Sequence, residues 1–175
     1  MIYDVFGNLS VKECDLNDLA SIMDLQDEVI NNLPDKQILR CNSKQMFESC
    51  FVSPNLTLGV YDKNLLVAVG ILYFPTTNEE NLAKHLKDVK VDLNTSANYK
   101  LCMVKSQYRG NKIQYKLGQI FEQIAKNNGA EIICATVSPI NSYSIVNFQD
   151  LGYLLGAVVQ KYGYPRCIVY KLLNE

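Results

Sequence analysis

The sequence predicts an α/β protein, a mixed α+β arrangement built on one mixed sheet, in a single domain over residues 1–175. The length of 175 residues is typical of one domain, and the composition of 48% hydrophobic and 20% charged residues is ordinary for a globular chain. Strand patterns and helix patterns alternate along the chain. No repeat, low-complexity segment or Gly/Ser/Pro linker divides it.

Two helices are predicted near the start of the chain. A stretch of mixed apolar and polar residues around 6–14 precedes Asp15, a suitable N-cap, and apolar residues at helical spacing continue to Asn32. Pro34 follows, as expected beyond a helix end. A second, short helix is predicted over residues 43–51.

A β-hairpin and a polar segment come next. Residues 56–61 and 65–74 have strand composition, and residues 62–64 form a turn between them. Pro75 ends the second strand. Residues 76–97 are polar and charged, and two interpretations stay open: a flexible surface loop, or a lid on the substrate side of a binding site.

The second half of the chain begins with a strand, a basic turn, a long helix and another strand. Residues 99–104 have the pattern of a strand. Apolar residues then recur from Ile113 at i, i+4, i+7, i+8 and i+11, and Gly129 provides a C-terminal cap. Residues 131–137 form a continuous apolar run of the kind that is buried on both faces. The two strands are therefore expected to be parallel.

The turn before the long helix has the features of an anion site. Backbone N–H groups at a helix N-terminus lack partners and carry partial positive charge. Gly110 lets the backbone approach a phosphate, and Arg109 and Lys112 add full charges. A helix start with exposed basic residues is the alternative interpretation.

The chain closes with a helix and two strands. The helix is predicted over residues 138–153, with three side chains facing inward: Ile145, Phe148 and Leu151. The last elements are a strand at 154–162, a turn at 163–165 and a strand at 166–172.

Charge, hydropathy and cysteine spacing exclude several classes of function. The 17 Lys and Arg residues balance 18 Asp and Glu residues, so the net charge of −1 provides no field for nucleic acid or an anionic membrane. The longest apolar run, residues 65–74, is about half the ~20 residues that a membrane span needs. Residues 1–15 do not resemble a signal peptide, so the protein is predicted to be cytoplasmic and bacterial. The six cysteines, with no Cys-x-x-Cys pair, and the single His85 predict reduced thiols and no metal site.

Two runs of residues in the second half form a recognisable pattern. The first run consists of Val104, Tyr108, Arg109, Gly110, Asn111, Lys112, Ile113 and Gln114. The second run consists of Val137, Pro139, Asn141, Ser144, Phe148, Leu151, Gly152 and Tyr153. Together they resemble the two central motifs of the GNAT N-acetyltransferase superfamily, and the order of elements is similar over nearly the whole chain.

The resemblance implies a GNAT-like fold: a central mixed, mostly antiparallel sheet with one splayed parallel strand pair and helices on both faces. It implies an acetyl-CoA-dependent N-acetyltransferase that needs no metal, in which the amine attacks the thioester directly. The acceptor would be a small-molecule, amino-acid or peptide amine, selected by residues 16–53, 75–98 and 162–166. Monomer and homodimer both stay open, without nucleic-acid or membrane partners.

The resemblance also assigns cofactor contacts. The pyrophosphate would bind the turn formed by Arg109, Gly110, Asn111, Lys112, Ile113 and Gln114. The cofactor arm would run along residues 101–104, where an N–H near Met103 or Val104 would polarise the thioester carbonyl. Asn141 and Ser144 would lie beside the arm.

Three positions depart from the family pattern. Lys112 and Gln114 stand where the phosphate turn usually has small residues, and Phe148 stands where many members have the tyrosine that protonates the leaving thiolate. Tyr99 and Lys100 stand where related chains carry a carboxylate, so no catalytic residue is assigned. Two alternatives stay open: a non-catalytic domain that binds or senses acyl-CoA, and an interaction module of the same fold.

Overall fold

The computed structural model describes residues 7–174, so Phe6 of the predicted opening stretch lies outside the described part of the chain. Within these residues, seven strands form one sheet in the order β1-β2-β3-β4-β5-β7-β6. The strands are β1 (Ser10–Glu13), β2 (Leu56–Asp62), β3 (Leu65–Tyr73), β4 (Ser96–Val104), β5 (Ile132–Val137), β6 (Leu154–Lys161) and β7 (Tyr164–Leu172). The helices are α1 (Leu19–Asn31), α2 (Lys44–Ser49), α3 (Ile113–Asn127) and α4 (Ser142–Asp150).

The sheet is mixed and mostly antiparallel. Neighbouring strands run antiparallel in every pair except β4 and β5, which run parallel. The parallel pair is the one that α3 connects, as a crossover between parallel strands requires. The predicted fold class, a mixed sheet with a single parallel pair, is therefore confirmed.

Helices cover both faces of the sheet. On one face α1 and α2 bury Ile22 and Phe47 against β2, β3 and β4. On the other face α3 buries Leu117 in a second core, which it shares with α4. Gly118 allows these two helices to approach, because a Cβ at this position would lie 2.5 Å from Leu151 Cδ1.

Side-chain caps start the first two helical segments close to the predicted residues. The N–H of Asn17 donates to Asp15 Oδ1 (2.7 Å) and the N–H of Asp15 donates to Asp18 Oδ2 (3.0 Å), a capping box at the turn that leads into α1. The N–H of Met46 donates to Ser43 Oγ (3.2 Å) at the start of α2. Both caps satisfy N–H groups that a helix start leaves unpaired.

Two predicted boundaries near the end of the chain are wrong. Helix α4 starts four residues later than expected, because Asn141 Oδ1 accepts the N–H of Ser144 (3.2 Å) and caps the helix there. The last hairpin turns at Tyr162 and Gly163, whose φ values of 59° and 81° suit a tight two-residue turn. Strand β7 therefore begins at Tyr164.

The segment between β3 and β4 packs against the sheet. Leu82, Ala83 and Leu86 are buried with Ile132 of β5 and Ile168 of β7. The flexible-loop interpretation is therefore wrong for this part of the segment. Among the described helices, none is long and apolar enough to cross a membrane.

Candidate functional site

Strands β4 and β5 pair at one end and then separate. The parallel ladder joins residues 96–98 to residues 132–134 and stops there. Both strands continue beyond it, β4 to Val104 and β5 to Val137. A gap therefore opens in the sheet toward the carboxyl ends of the two strands.

A β-bulge in β4 lies where the gap begins. Tyr99 pairs with Leu72 and Leu101 pairs with Ile71, so Lys100 is an extra residue without a partner on β3. A bulge bends its strand and increases the local twist. The bend accounts for the departure of β4 from β5.

A cavity of about 320 Å³ lies at this gap. Gln114, Ser144 and Phe148 line it from the layer of α3 and α4, and residues 38–43 with Met46 of α2 line it from the opposite side, so it connects the two faces of the sheet. Of the predicted cofactor contacts, it includes Gln114, Asn141 and Ser144. Of the regions expected to select the acceptor, it includes residues 38–43, Met46, Tyr162 and Arg166, and none of residues 75–98.

The N-terminus of α3 presents unpaired N–H groups next to the cavity. The backbone N–H groups of residues 110–114 donate to no acceptor within residues 7–174. Gly110 (φ 83°) and Lys112 (φ 55°) both adopt the left-handed conformation, and Asn111 Nδ2 braces the turn on the carbonyl of Tyr108 (3.0 Å). This arrangement has the geometry of a helix N-terminal anion site.

The side chains of the turn point in different directions. Arg109 is exposed, whereas Ile113 is buried in the core beneath α3. Lys112 is exposed, with Nζ 5.4 Å from the ring centroid of Tyr115. Two cations thus flank the unpaired N–H groups, and Ile113 anchors the helix that carries them.

Alternation along β4 directs every second N–H group into the gap. The N–H of Lys105 donates to the carbonyl of Val67 (2.9 Å), and Met103 lies opposite Val69 in the same antiparallel register. Hydrogen-bonded and non-bonded pairs alternate in such a ladder, so Met103 donates toward β3 and Val104 donates toward the gap. Of the two N–H groups predicted as oxyanion donors, only that of Val104 faces the gap.

The Gln114 side chain ties α3 to α4 at the cavity wall. Its Nε2 donates to Ser144 Oγ (2.7 Å), and its Oε1 accepts from Asn147 Nδ2 (3.1 Å). Its carbonyl accepts from the hydroxyl of Tyr99 (3.1 Å). Asn141 Nδ2 has no partner in the described part of the chain and can donate to a ligand.

Phe148 is both a core residue and part of the cavity wall. It is 4% exposed and packs between Tyr99, with ring centroids 5.6 Å apart, and Tyr153, at 4.9 Å. Burial raises the pKa of both tyrosines well above the usual range. Tyr143, another phenol on α4, is 84% exposed and does not line the cavity. The position where the resemblance expects an acid therefore offers no proton.

Among the residues that the structure describes, three cations line the cavity and no Asp or Glu does; the cations are Arg40, Lys100 and Arg166. Arg166 is 4% exposed and donates from Nη2 to the carbonyl of Gln37. Burial lowers its pKa, while two neighbouring tyrosines act in the opposite direction. The motifs do not identify Arg166, because it is a single basic residue at the start of a strand.

The cysteines and His85 are the other side chains that could act as nucleophiles or metal ligands. All six cysteines are free thiols, and burial raises the pKa of Cys102, which lines the cavity, to about 12. A thiol with such a pKa is protonated at neutral pH and is a poor nucleophile. His85, predicted at the surface, is half-buried and does not line the cavity. No group of three or more His, Cys, Asp or Glu within residues 7–174 could hold a metal ion.

Comparisons with solved structures find the same architecture over nearly the whole chain. One similar structure is that of a Salmonella typhimurium protein assigned as an acetyltransferase, solved with its cofactor acetyl-CoA. The two structures match with a TM-score of 0.72 at 14% identity, over 96% of this chain and 95% of the Salmonella chain. Ribosomal-protein-S5-alanine acetyltransferase from Vibrio fischeri has a TM-score of 0.72 at 12% identity, covering 100% and 98%. An acetyltransferase of the GNAT family from Streptococcus pneumoniae has a TM-score of 0.68 at 13% identity, covering 94% and 98%.

These likenesses are to the fold, because the identities of 12–14% are too low to carry an activity. They confirm the architecture that the two sequence motifs indicated. No protein-family model matches the sequence, and no curated protein matches it significantly.

Proposed function

We propose that this chain, which has the GNAT fold, transfers an acetyl group from acetyl-CoA to a primary amine of a small molecule, amino acid or peptide. The observation that carries the proposal is the separation of β4 from β5, with a cavity lined from both faces of the sheet. Such a gap accommodates an extended acyl donor from one face and an amine from the other.

The residues at the gap fit acetyl-CoA, which supplies the acetyl group as an activated thioester. The N–H groups of residues 110–114, with Arg109 and Lys112, would hold the pyrophosphate, because a helix N-terminus attracts anions. Val104 and Asn141 Nδ2 would donate to the arm and its thioester end. Ser144 keeps a hydroxyl proton to donate, since its Oγ accepts from Gln114.

The reaction requires that the protein position the amine and the thioester and stabilise the negative charge that develops on the carbonyl oxygen. The amine forms a C–N bond to the carbonyl carbon, the C–S bond breaks, and one proton passes from nitrogen to sulfur. The N–H of Val104 would stabilise the oxyanion, and proximity alone supplies several kcal/mol. Water in the cavity would carry the proton, since no carboxylate of residues 7–174 lines it and Phe148 has no proton to give. Cys102 takes no part, because its thiol stays protonated.

A non-catalytic domain that binds acyl-CoA is the second candidate, and Phe148 favours it. This side chain sits on the cavity wall and presents only apolar atoms to a departing thiolate. A domain of this kind would bind CoA or acyl-CoA and would acetylate no amine.

Thermal unfolding with ligands, followed by measurement of CoA release, separates the candidates. We expect CoA and acetyl-CoA to raise the Tm, because ligands that bind only the native state stabilise it. 3′-Dephospho-CoA should be nearly as effective, because it keeps the pyrophosphate that the turn before α3 would hold. We also expect CoA release from acetyl-CoA with at least one member of an amine panel. A raised Tm without release for any amine favours the binding domain. No change in Tm at millimolar CoA contradicts both and leaves the interaction module.

A further inference from the structure

The wall of the cavity that faces away from α3 and α4 is positively charged. Arg40 comes from the segment between α1 and α2, Lys100 from the bulge of β4 and Arg166 from the start of β7. None of the four ion pairs found within residues 7–174 includes any of these cations. Glu80, which accepts a hydrogen bond from Tyr73, lies outside the lining.

Two of the cations rest on aromatic rings. Arg40 Cζ lies 4.2 Å from the ring centroid of Tyr162, and Lys100 Nζ lies 4.3 Å from that of Tyr73. A cation–π contact orients the charged group and leaves its N–H donors available. Both groups can therefore still bind an anion.

Arg166 is the most informative of the three. Its side chain is buried, yet its hydrogen bond to the carbonyl of Gln37 uses one of five guanidinium donors. Buried charges are normally paired, because taking a charge out of water is costly. A buried guanidinium that lines a cavity and has no carboxylate partner in the described part of the chain is suited to an anionic ligand.

We infer that the acceptor amine carries a carboxylate and that Arg166 binds it; this inference rests on the acetyltransferase function proposed above. The planar guanidinium matches a carboxylate in bidentate geometry, and Arg40 adds a second charge at the exposed side. The cavity of about 320 Å³ is at the small end of ligand sites. The acceptor class is therefore a small amino acid or a similar amino carboxylate.

The same charges assist deprotonation of the amine. A positive potential disfavours an ammonium group, so the pKa of the bound amine falls and its neutral form is more populated. The proton passes to water, and no carboxylate base is needed. An amine without a carboxylate arrives as a simple cation and is repelled by this wall.

Substitution of Arg166 separates recognition of the carboxylate from a structural role. Arg166→Gln removes the charge but keeps an N–H donor for the Gln37 carbonyl, and Arg166→Lys keeps the charge. The measurement is kcat/KM for matched pairs, glycine with glycinamide and β-alanine with β-alaninamide, each in the wild type and in the variants. Comparing ratios cancels the intrinsic reactivities of the amines.

We expect kcat/KM for the carboxylate, divided by kcat/KM for its carboxamide, to fall 10- to 100-fold in Arg166→Gln, because the variant loses a hydrogen bond to a charged group. In Arg166→Lys this ratio should be partly retained. Arg109→Gln, the matched change at the phosphate turn, should lower both rates and leave the ratio unchanged. An equal loss for both partners in Arg166→Gln overturns the inference. A stronger dependence on Arg166 for 2-aminoethyl phosphate than for either amino acid overturns the assignment to a carboxylate.

A binding readout tests the same site without turnover. N-acetylglycine keeps the carboxylate and lacks a reactive amine, and N-acetylglycinamide is its neutral match. With CoA-saturated protein we expect N-acetylglycine to raise the Tm of the wild type more than the amide does, and this difference to vanish in Arg166→Gln. Equal shifts by both ligands in the wild type overturn the anion site. If the wild type acetylates no amine, the proposed function fails while this readout still decides the site.

Discussion

Phe148 packs edge-to-face against Tyr99 at the cavity wall, with ring centroids 5.6 Å apart and ring planes at 76°. Phe148 belongs to α4, the helix that follows β5, and Tyr99 belongs to β4, so the contact joins this helix to one of the two strands that flank the gap. The Tyr99 hydroxyl donates to the carbonyl of Gln114 and is already engaged. The wall is thus apolar at the position where the family resemblance expects a proton donor.

Phe148→Tyr tests whether that position faces the sulfur of the acyl donor. We expect the variant to fold, to keep the rise in Tm with acetyl-CoA and to release CoA about tenfold faster or more. General acid catalysis contributes roughly 10²–10⁴-fold where proton transfer limits the rate. The measurements are CoA release with the best amine of a panel, and Tm with and without acetyl-CoA.

Tyr143→Phe is the control for this change, because Tyr143 is exposed on the same helix and its loss should alter neither quantity. If the Phe148 position belongs only to the core, a hydroxyl there is buried without a partner and costs about 1–3 kcal/mol of stability. A Phe148→Tyr protein that melts several degrees lower with unchanged CoA affinity and rates would contradict the placement of α4 beside the cofactor.

Gly110→Ala tests the proposed phosphate turn, and Gly129→Ala provides a matched control at the opposite end of α3. Gly110 has φ 83° and Gly129 has φ 82°, and a Cβ at either would meet no atom within 4 Å. Both changes should therefore cost about 1–2 kcal/mol through backbone strain alone. We expect only Gly110→Ala to weaken CoA binding, by about tenfold or more, because it displaces charge-assisted N–H donors. Titration calorimetry with CoA and denaturant unfolding measure the two effects.

Wild-type CoA affinity in both folded glycine variants would show that the phosphates bind elsewhere. Equal weakening in both would show that the effect comes from general destabilisation of α3, since Gly129 follows the C-terminal end of this helix.

Local patterns explain why the second half of the fold could be predicted. The stripe that begins at Ile113 includes Leu117 and Phe121, and all three are buried against the sheet. Gly129 adopts the positive φ that a C-terminal glycine permits. These features depend on residues close in sequence, so periodicity and capping rules predict them.

The charged wall of the cavity depends on contacts that are distant in sequence. Arg166 and the Gln37 carbonyl are 129 residues apart, and no local pattern links them. The choice between Met103 and Val104 depends on the register of β4 against β3, which only the folded sheet defines. The burial of Leu82 likewise arises from packing on other strands and overrides the polar composition of its own segment.

Asp18 should make the stability of the protein depend on acid pH. Burial raises the pKa of Asp18. Hydrogen bonds from the Asp15 N–H and the Tyr61 hydroxyl lower this pKa, and so does the charge of Lys12. The lowering effects are larger together, so the pKa lies below its usual value. A lowered pKa means that the carboxylate stabilises the fold above the unfolded-state pKa, and that this stability is lost as the pH falls through the lowered value.

The test compares Tm against pH for the wild type and Asp18→Asn, with exposed Asp24→Asn as the control on α1. We expect Asp18→Asn to be about 1 kcal/mol less stable at neutral pH and to lose less stability below about pH 4. Parallel Tm curves for the wild type and Asp18→Asn would contradict the role assigned to this carboxylate.

Lys112→Gly separates backbone strain from charge at the start of α3. Lys112 has φ 55° and Lys63, in the turn between β2 and β3, has φ 56°, so Lys63→Gly is the matched control. Both changes stabilise the fold by relieving the strain of a left-handed backbone at a residue with a side chain. Glycine also has a larger entropy in the unfolded state, which offsets part of this stabilisation, so each change should alter the free energy of unfolding by at most about 1 kcal/mol. Only Lys112→Gly removes an ammonium beside the proposed pyrophosphate site, so we expect CoA affinity to fall about fivefold at low salt and less at high salt. Tighter CoA binding in Lys112→Gly would instead show that the lysine obstructs the turn, and that the small residue usual in the family forms the better phosphate site.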